Sequence, residues 1–570
     1  MEKYESAVSE KIETMWYKAM ETADSFVSRS YLDKLNLCRA AEPAEEMLVS
    51  FPIELFRLTR LAYIPSEGIV DKLVNVYSSL NSIGTTVFTI IHGEPGKTEF
   101  YIGCLNRSSS DASRLLLESS FEGNFPGIEL SLRNAREKDE LLDCFFPLEY
   151  RSQSIASVSV SADFRKNKTE DGIKYIQGIE KFIDTMKGKE YTALFLAEPV
   201  SHDDCMDKKR ACENMITELS KYNKIAVNYG QNDAVAVNTS LSEGTNESIS
   251  SSINSSVSKS TSVSIGKNKG SSFSRSFSFF GTTYSSGKNR GTTENSTTGY
   301  ADTTGSTKTN MTGSNFNKTT GESRNSGSSV GMTLNIENKA VSNIISKLEY
   351  ELKKLENSDS FGLWDTAVYI VSQDSSTPIV AANSIRSLVI GDESGKAESF
   401  INYWDRTSKA FSHGSVGNIM KFLHYGMHPV FEKNNGISGK SFFFTPAVAV
   451  GGNVLPSIIG LPMRSVPGVT VIETAEFGRN VVTDDHSSPG NRTVRLGEIM
   501  YMGKKDSSIV KLHVNSLAMH TFICGAPGSG KSNTVYKLIY ELCRLQAKPE
   551  RDDGYGNVSF LVIEPATVSY

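Results

Sequence analysis

The spacing of apolar positions divides the chain into ordered blocks around one long polar interval. Residues 1–50 carry an apolar stripe through Met15, Met20 and Phe26, which predicts a helical arm packed on its own chain. IELFRLTRLAYIP reads as a strand and EGIVDKLVNVYSSLNSI as a helix. TTVFTIIHG and TEFYIGCLN follow as strands around the turn EPGK. A second unit begins with the strand IASVSVSADF. IKYIQGIEKFIDTMKG then places Ile173, Ile176, Ile179, Ile183 and Met186 at helical spacing, and YTALFLAEP closes the unit as a buried strand. This alternation predicts an α/β domain over residues 51–237.

From Asn238 to Gly331 the pattern disappears into Ser, Thr, Gly and Asn. Too few apolar groups remain there to offset ordering entropy, so disorder is expected, with a few weak strands at most. Order resumes with KAVSNIISKLEYELKKLENSD, whose Val341, Ile345, Leu348, Leu352 and Leu355 form a seam that needs a partner helix. The helix around CMDKKRACENMITELSKYN is the obvious partner, which makes the polar interval the tip of a helical hairpin. The α/β alternation continues over 332–440 with DTAVYIVSQD and IVAANSIRSLVIGD. Short strand-like runs rich in Gly and Pro predict a small β-rich module at 441–512, and residues 513–570 form the last block.

Composition sharpens the picture. The apolar fraction is 38% and the net charge −5, which excludes a broadly basic nucleic-acid coat but leaves local basic surfaces. Seven scattered cysteines without CxxC pairs read as reduced, buried thiols of a cytoplasmic protein. The N-terminal stretch lacks the apolar core of a secretion signal. Ser441 to Met463 is uncharged and long enough to span a bilayer, but Pro446, Pro456 and Pro462 argue against a continuous helix. A soluble protein with no membrane span is expected.

The candidate chemistry is concentrated in one stretch. Gly525-Ala526-Pro527-Gly528-Ser529-Gly530-Lys531-Ser532 is a full G-x-x-x-x-G-K-[ST] pattern, followed by Asn533. Such glycines let successive backbone N–H groups converge on phosphate oxygens. Lys531 would neutralise the phosphate charge, and the Ser532 hydroxyl would ligate Mg²⁺. MHTFIC before the loop reads as a strand and NTVYKLIYELCRLQAK after it as an amphipathic helix, the context a phosphate loop needs. Phe560 to Ile563 predict a second strand, with Glu564 near the nucleotide as a weak catalytic candidate. His424 and His428 read as packing rather than zinc ligands, and Asp203 in HDDC as a helix cap.

His520 through Thr534 resembles the HerA/FtsK superfamily of DNA-translocating ATPases, in particular bacterial HerA-like proteins and conjugation-type secretion ATPases. Glu564-Pro565 and Tyr570 fit the end of that family's second strand, although Ser569 stands where a Glu is usual. LFRLTRLAYIP, GNFPGIEL and SVPGVTVIETAEFG are similar to N-terminal parts of such proteins. The resemblance implies a RecA-like ATPase domain, ATP and Mg²⁺ as cofactors, and a ring-shaped homo-oligomeric motor or helicase acting on DNA or a secreted protein. The family's paired Walker B acid, sensor and arginine finger are not found after the loop. The expectation is therefore an incomplete RecA-like domain, truncated or completed by a second chain, that binds ATP but hydrolyses it poorly. The alternative is a non-catalytic interaction or scaffold protein of a defence or secretion system.

Overall fold

The computed structural model describes residues 53–105, 110–148, 153–161, 178–220, 338–390, 399–405, 415–435, 440–475, 493–517 and 519–546. Shorter pieces are described within 23–43, 166–175, 223–237, 275–286 and 332–337, and at 559 and 561. Apart from the pairing of Arg275–Phe277 with Tyr284–Ser286, the polar interval expected to be disordered lies outside them.

A ten-stranded sheet is the centre of the molecule. Its strands are β1 (Ile53–Tyr63), β2 (Thr86–Glu94), β3 (Lys97–Leu105), β4 (Glu129–Leu132), β5 (Ser154–Val160), β6 (Tyr191–Val200), β7 (Leu363–Ser372), β8 (Ser399–Trp404), β9 (Val448–Gly451) and β10 (Thr470–Glu473). The order across the sheet is β8-β5-β7-β6-β2-β3-β1-β10, with β9 also beside β7 and β4 also beside β1. Every pairing is antiparallel except β1 with β10. The β2–β3 turn is as tight as its sequence suggests, with Pro95 followed by Gly96 at φ +86°, the residue order of a type II turn.

The helices that cover this sheet are α1 (Ile69–Ser82), α2 (Ser110–Asn124), α3 (Ala135–Phe145), α4 (Ile179–Thr185), α5 (His202–Ser220), α6 (Lys339–Phe361), α7 (Thr377–Val389) and α8 (Ser415–His424). Their order reveals a repeat. β1, α1, β2, β3, α2 and β4 form a β-α-β-β-α-β unit with strand order β4-β1-β3-β2. β5, α4, β6, β7, α7 and β8 form a second, with order β8-β5-β7-β6. In each unit the third strand inserts between two strands joined by a helix. The units meet where β2 pairs β6. The polar interval and helices α5 and α6 occupy the place that the tight β2–β3 turn holds in the first unit.

One sheet face buries Phe56, Leu58, Ile91, Phe100, Phe195 and Val368 beneath α1, α2, α4 and α7. The opposite face buries Leu55, Phe88, Ile90, Leu194 and Tyr369 beneath α3 and α8. Helices α5 and α6 pair as the hairpin the seam requires. Cys205, Cys212, Met215 and Leu219 meet Val341, Ile345, Leu348 and Leu355, and Ala23 and Val27 of the N-terminal arm pack on them. Among the described residues, no helix is long and apolar enough to cross a membrane.

Several expectations change. Met15, Met20 and Phe26 lie outside the described residues, and the arm is not helical to Ser50. Arg29 adopts φ +50°, which breaks the helical path. Short 3₁₀ turns at Ser30–Leu32 and Leu35–Leu37 and the strand Arg39–Ala40 follow. The helix expected from Ile173 begins at Ile179, immediately after Gly178, while Ile173 sits in a strand paired with Lys166–Thr169. A glycine costs a helix interior about 1 kcal/mol, and this one marks the boundary. β9 and β10, expected in a separate β-rich module, extend the main sheet instead. The cysteines are free thiols, but Cys144, Cys524 and Cys543 are exposed, not buried.

Candidate phosphate-binding loop

The segment around the loop starts with an antiparallel ribbon, β11 (Thr493–Tyr501) and β12 (Lys504–His513), paired from Thr493↔His513 to Tyr501↔Lys504 with register shifts between Arg495 and Gly497 and between Glu498 and Met500. Its turn is Met502-Gly503, at φ +49° and +81°. Positive φ at both central residues matches the right-handed twist of a two-stranded ribbon. β12 leads through a short helical turn at Val514–Leu517 toward the loop, and α9 (Lys531–Gln546) follows it. On α9, Glu541 is only 8% exposed. It accepts a 2.6 Å hydrogen bond from Lys537 Nζ and lies 3.9 Å from Arg544. The Lys537 hydrogen bond, with the Lys537, Arg544 and Arg495 charges, holds this carboxyl below the usual carboxylate range.

The loop's glycines each meet a distinct geometric demand. Gly528 and Gly530 adopt φ +79° and +88°, backbone that L side chains rarely occupy. At Gly525 a Cβ would lie 2.4 Å from Ser529 Oγ, so the loop closes only around a bare α-carbon. Ser529 N–H donates to Ala526 O at 3.1 Å, forming the turn through Pro527. The first helical bond runs from Thr534 N–H to Gly530 O at 3.0 Å, and Thr534 Oγ1 donates to the same carbonyl. The backbone N–H groups of Lys531, Ser532 and Asn533 therefore precede the intrahelical ladder and point out of the helix start. No acidic residue occupies that first turn, so the positive end of the helix dipole is uncompensated by its own sequence.

Lys531 Nζ donates to Gly525 O and Ala526 O, both at 2.8 Å, which puts the ammonium over the loop. The structure thus brings Gly525 through Asn533 together as one largely exposed turn with a cation and the amides of a helix start. That is a donor set for an anion the size of a phosphate chain. The Ser532 hydroxyl is exposed at the helix start, as a metal ligand would need.

The flanks differ from expectation. MHTFIC forms no strand: a strand needs a paired neighbour, and none of the described residues supplies one. Met519 and Phe522 are left 72% and 88% exposed. Glu564 and most of the second predicted strand lie outside the described residues, and Leu561 is 85% exposed. His424 and His428 serve packing. His428 hydrogen-bonds Tyr369 and the Asp365 carbonyl, with burial pushing its imidazole below the ordinary value, and His424 contacts the Phe146 carbonyl. The cap of α5 is Ser201, whose Oγ accepts from Asp204 N–H, rather than Asp203. Sequence reasoning missed the Met502-Gly503 turn. The X-Gly pair between two strand-like runs was its available signal.

A family model described as "Helicase HerA, central domain" matches residues 494–555, covering the ribbon, the loop and α9. The match supports a HerA/FtsK-type P-loop ATPase at that coarse level and covers roughly a tenth of the chain. No curated protein matches the chain.

Proposed function

We propose that this chain binds ATP with Mg²⁺ at Gly525–Asn533 and is part of a HerA-like motor that moves DNA or a secreted protein from the cytoplasm. The observation that carries the reading is the cradle itself. Two positive-φ glycines, the close Gly525–Ser529 approach, the amides of the α9 start and the Lys531 ammonium bonded to the Gly525 and Ala526 carbonyls all lie within nine residues and support it. Lys531 would carry the β/γ-phosphate charge and Ser532 would hold the metal. Phosphoryl transfer further needs acids for Mg²⁺ and water and an arginine from elsewhere. Glu564 is the weak candidate for the first of these. The exposure of Met519, Phe522, Tyr536, Tyr540 and Leu561 supports an apolar contact face on this segment, for a neighbouring copy in a ring or a second polypeptide.

Titration calorimetry with Mg-ATP tests this. Lys531→Ala removes charge-assisted hydrogen bonds of about 1.5–3 kcal/mol, so affinity should fall by roughly tenfold or more. Ser532→Ala should weaken the Mg²⁺ dependence. Wild-type affinity in Lys531→Ala would sink the reading. Unchanged cellular function in that variant would favour a docking role for the α/β body and its helical hairpin.

A further inference from the structure

We propose that the Met502-Gly503 turn is a coupling joint that transmits occupancy of the phosphate cradle to the edge of the ten-stranded sheet. This rests on the phosphate-binding reading of the loop. The β11–β12 ribbon is the physical link. One end runs toward Gly525, with α9 packed along β11, and the other end is the turn. Ten residues of β12 extend about 33 Å, and pairing at both ends of that length, across two register shifts in β11, makes the ribbon a continuous lever.

The turn is seated where several features converge. The Met502 side chain is buried with Ala62 and Ile64 at the end of β1. Its carbonyl accepts from Arg60 Nη2 at 3.0 Å, and Arg60 is itself held by Glu129 at 3.0 Å. Lys504 reaches Glu122 of α2 at 3.5 Å. The fit leaves no room for adjustment: a Cβ at Gly127 would lie 2.4 Å from Ala62 Cβ and 2.7 Å from Met502 Cβ. A Cβ at Gly503 would meet the Arg60 guanidinium at 1.8 Å. Met502 nonetheless adopts φ +49°, unfavourable for a residue with a side chain. A strained residue held by its surroundings gives two arrangements, seated and released, rather than a continuous range. Movement of the loop and α9 on phosphate binding would tilt the ribbon and bias that choice.

Hydrogen–deuterium exchange on the full chain tests the joint, with Mg²⁺ and adenylyl-imidodiphosphate as the probe. In the wild type, exchange should slow by about fivefold or more in 525–540 and also in 493–513, 56–64 and 122–132. Gly127→Val wedges the seat open, and Met502→Gly keeps the turn while removing its anchor. In both, protection of 525–540 should persist while protection of 56–64 and 122–132 is lost. Protection of the loop with unchanged exchange at the joint in the wild type overturns the coupling and leaves the loop reading standing. Joint protection that survives both variants overturns it too. Absence of any nucleotide effect in the wild type overturns the loop reading and the coupling with it.

Discussion

Arg29 and Glu351 form the buried contact that fastens the N-terminal arm to helix α6, and removing either alone should be costly. Arg29 Nη2 donates to Glu351 Oε2 at 3.0 Å, and Lys354 Nζ approaches the other carboxylate oxygen at 2.8 Å. Among the described residues, Arg29 Nη1 has no hydrogen-bond partner. Replacing Arg29 with Met therefore leaves a buried carboxylate with Lys354 alone. Replacing Glu351 with Met leaves a buried guanidinium without its hydrogen-bonded carboxylate. Breaking such a pair from one side costs about 3–5 kcal/mol, which for a body of this size lowers Tm by roughly 5–10 °C. The double variant Arg29→Met, Glu351→Met removes both charges and should recover most of that loss. The pH dependence has a definite sign. Burial alone would raise the Glu351 carboxyl, but Arg29 and then Lys354 override it and hold it below its ordinary value. Its contribution is then complete above the unfolded value of about 4.3 and is lost as pH falls through the lower folded value. The gap between wild type and Glu351→Gln should be widest near neutral pH and close below about pH 4. Differential scanning fluorimetry of the full chain across pH measures all five proteins. Single variants within about 1 °C of wild type, or a double variant as unstable as the sum of the two singles, would refute the reasoning.

Two further predictions concern the loop segment. Gly530→Ala forces a side chain to φ +88°, so Mg-ATP affinity should fall without a matching loss of Tm, because the loop is exposed and carries little of the fold. Calorimetry and fluorimetry on the same sample separate the two. Phe522→Ser removes a side chain that is 88% exposed, so it should change stability by under about 0.5 kcal/mol while reducing binding of a hydrophobic dye. A large drop in Tm would mean that Phe522 is packed.

The main sheet was legible where apolar patterning and turn chemistry agreed. β1, α1, β2 and β3 fall where the runs from Ile53 to Leu105 put them, and the α6 seam correctly required α5 as its partner. The failures share a cause, since each depended on a distant segment. The repeat of two β-α-β-β-α-β units was hidden because the polar interval interrupts the second unit between β6 and β7. β9 and β10 read as a local module because their partners, Leu363–Thr366 and Arg60–Tyr63, precede them by tens to hundreds of residues. MHTFIC has the composition of a strand, yet composition cannot supply a neighbour to pair with.

The same distinction explains why the candidate phosphate loop is confined to nine letters, Gly525 to Asn533. Its geometry is local: the Ser529–Ala526 turn, the two Lys531 bonds and the Thr534–Gly530 bond span three to six residues. The glycine dihedrals need no support from outside the loop. The proposed phosphate site is thus encoded in a contiguous word. Conversion of binding into work is not, because the acids, the arginine and the lever must come from separate places in the chain or from another chain. The Met502-Gly503 seat is the described example. Arg60, Gly127 and Met502 mean little singly in the sequence, and they become a joint only when β1, the α2–β4 connection and the ribbon meet. The residues proposed to hold a ligand are therefore found by motif, and those proposed to respond to it are found by packing.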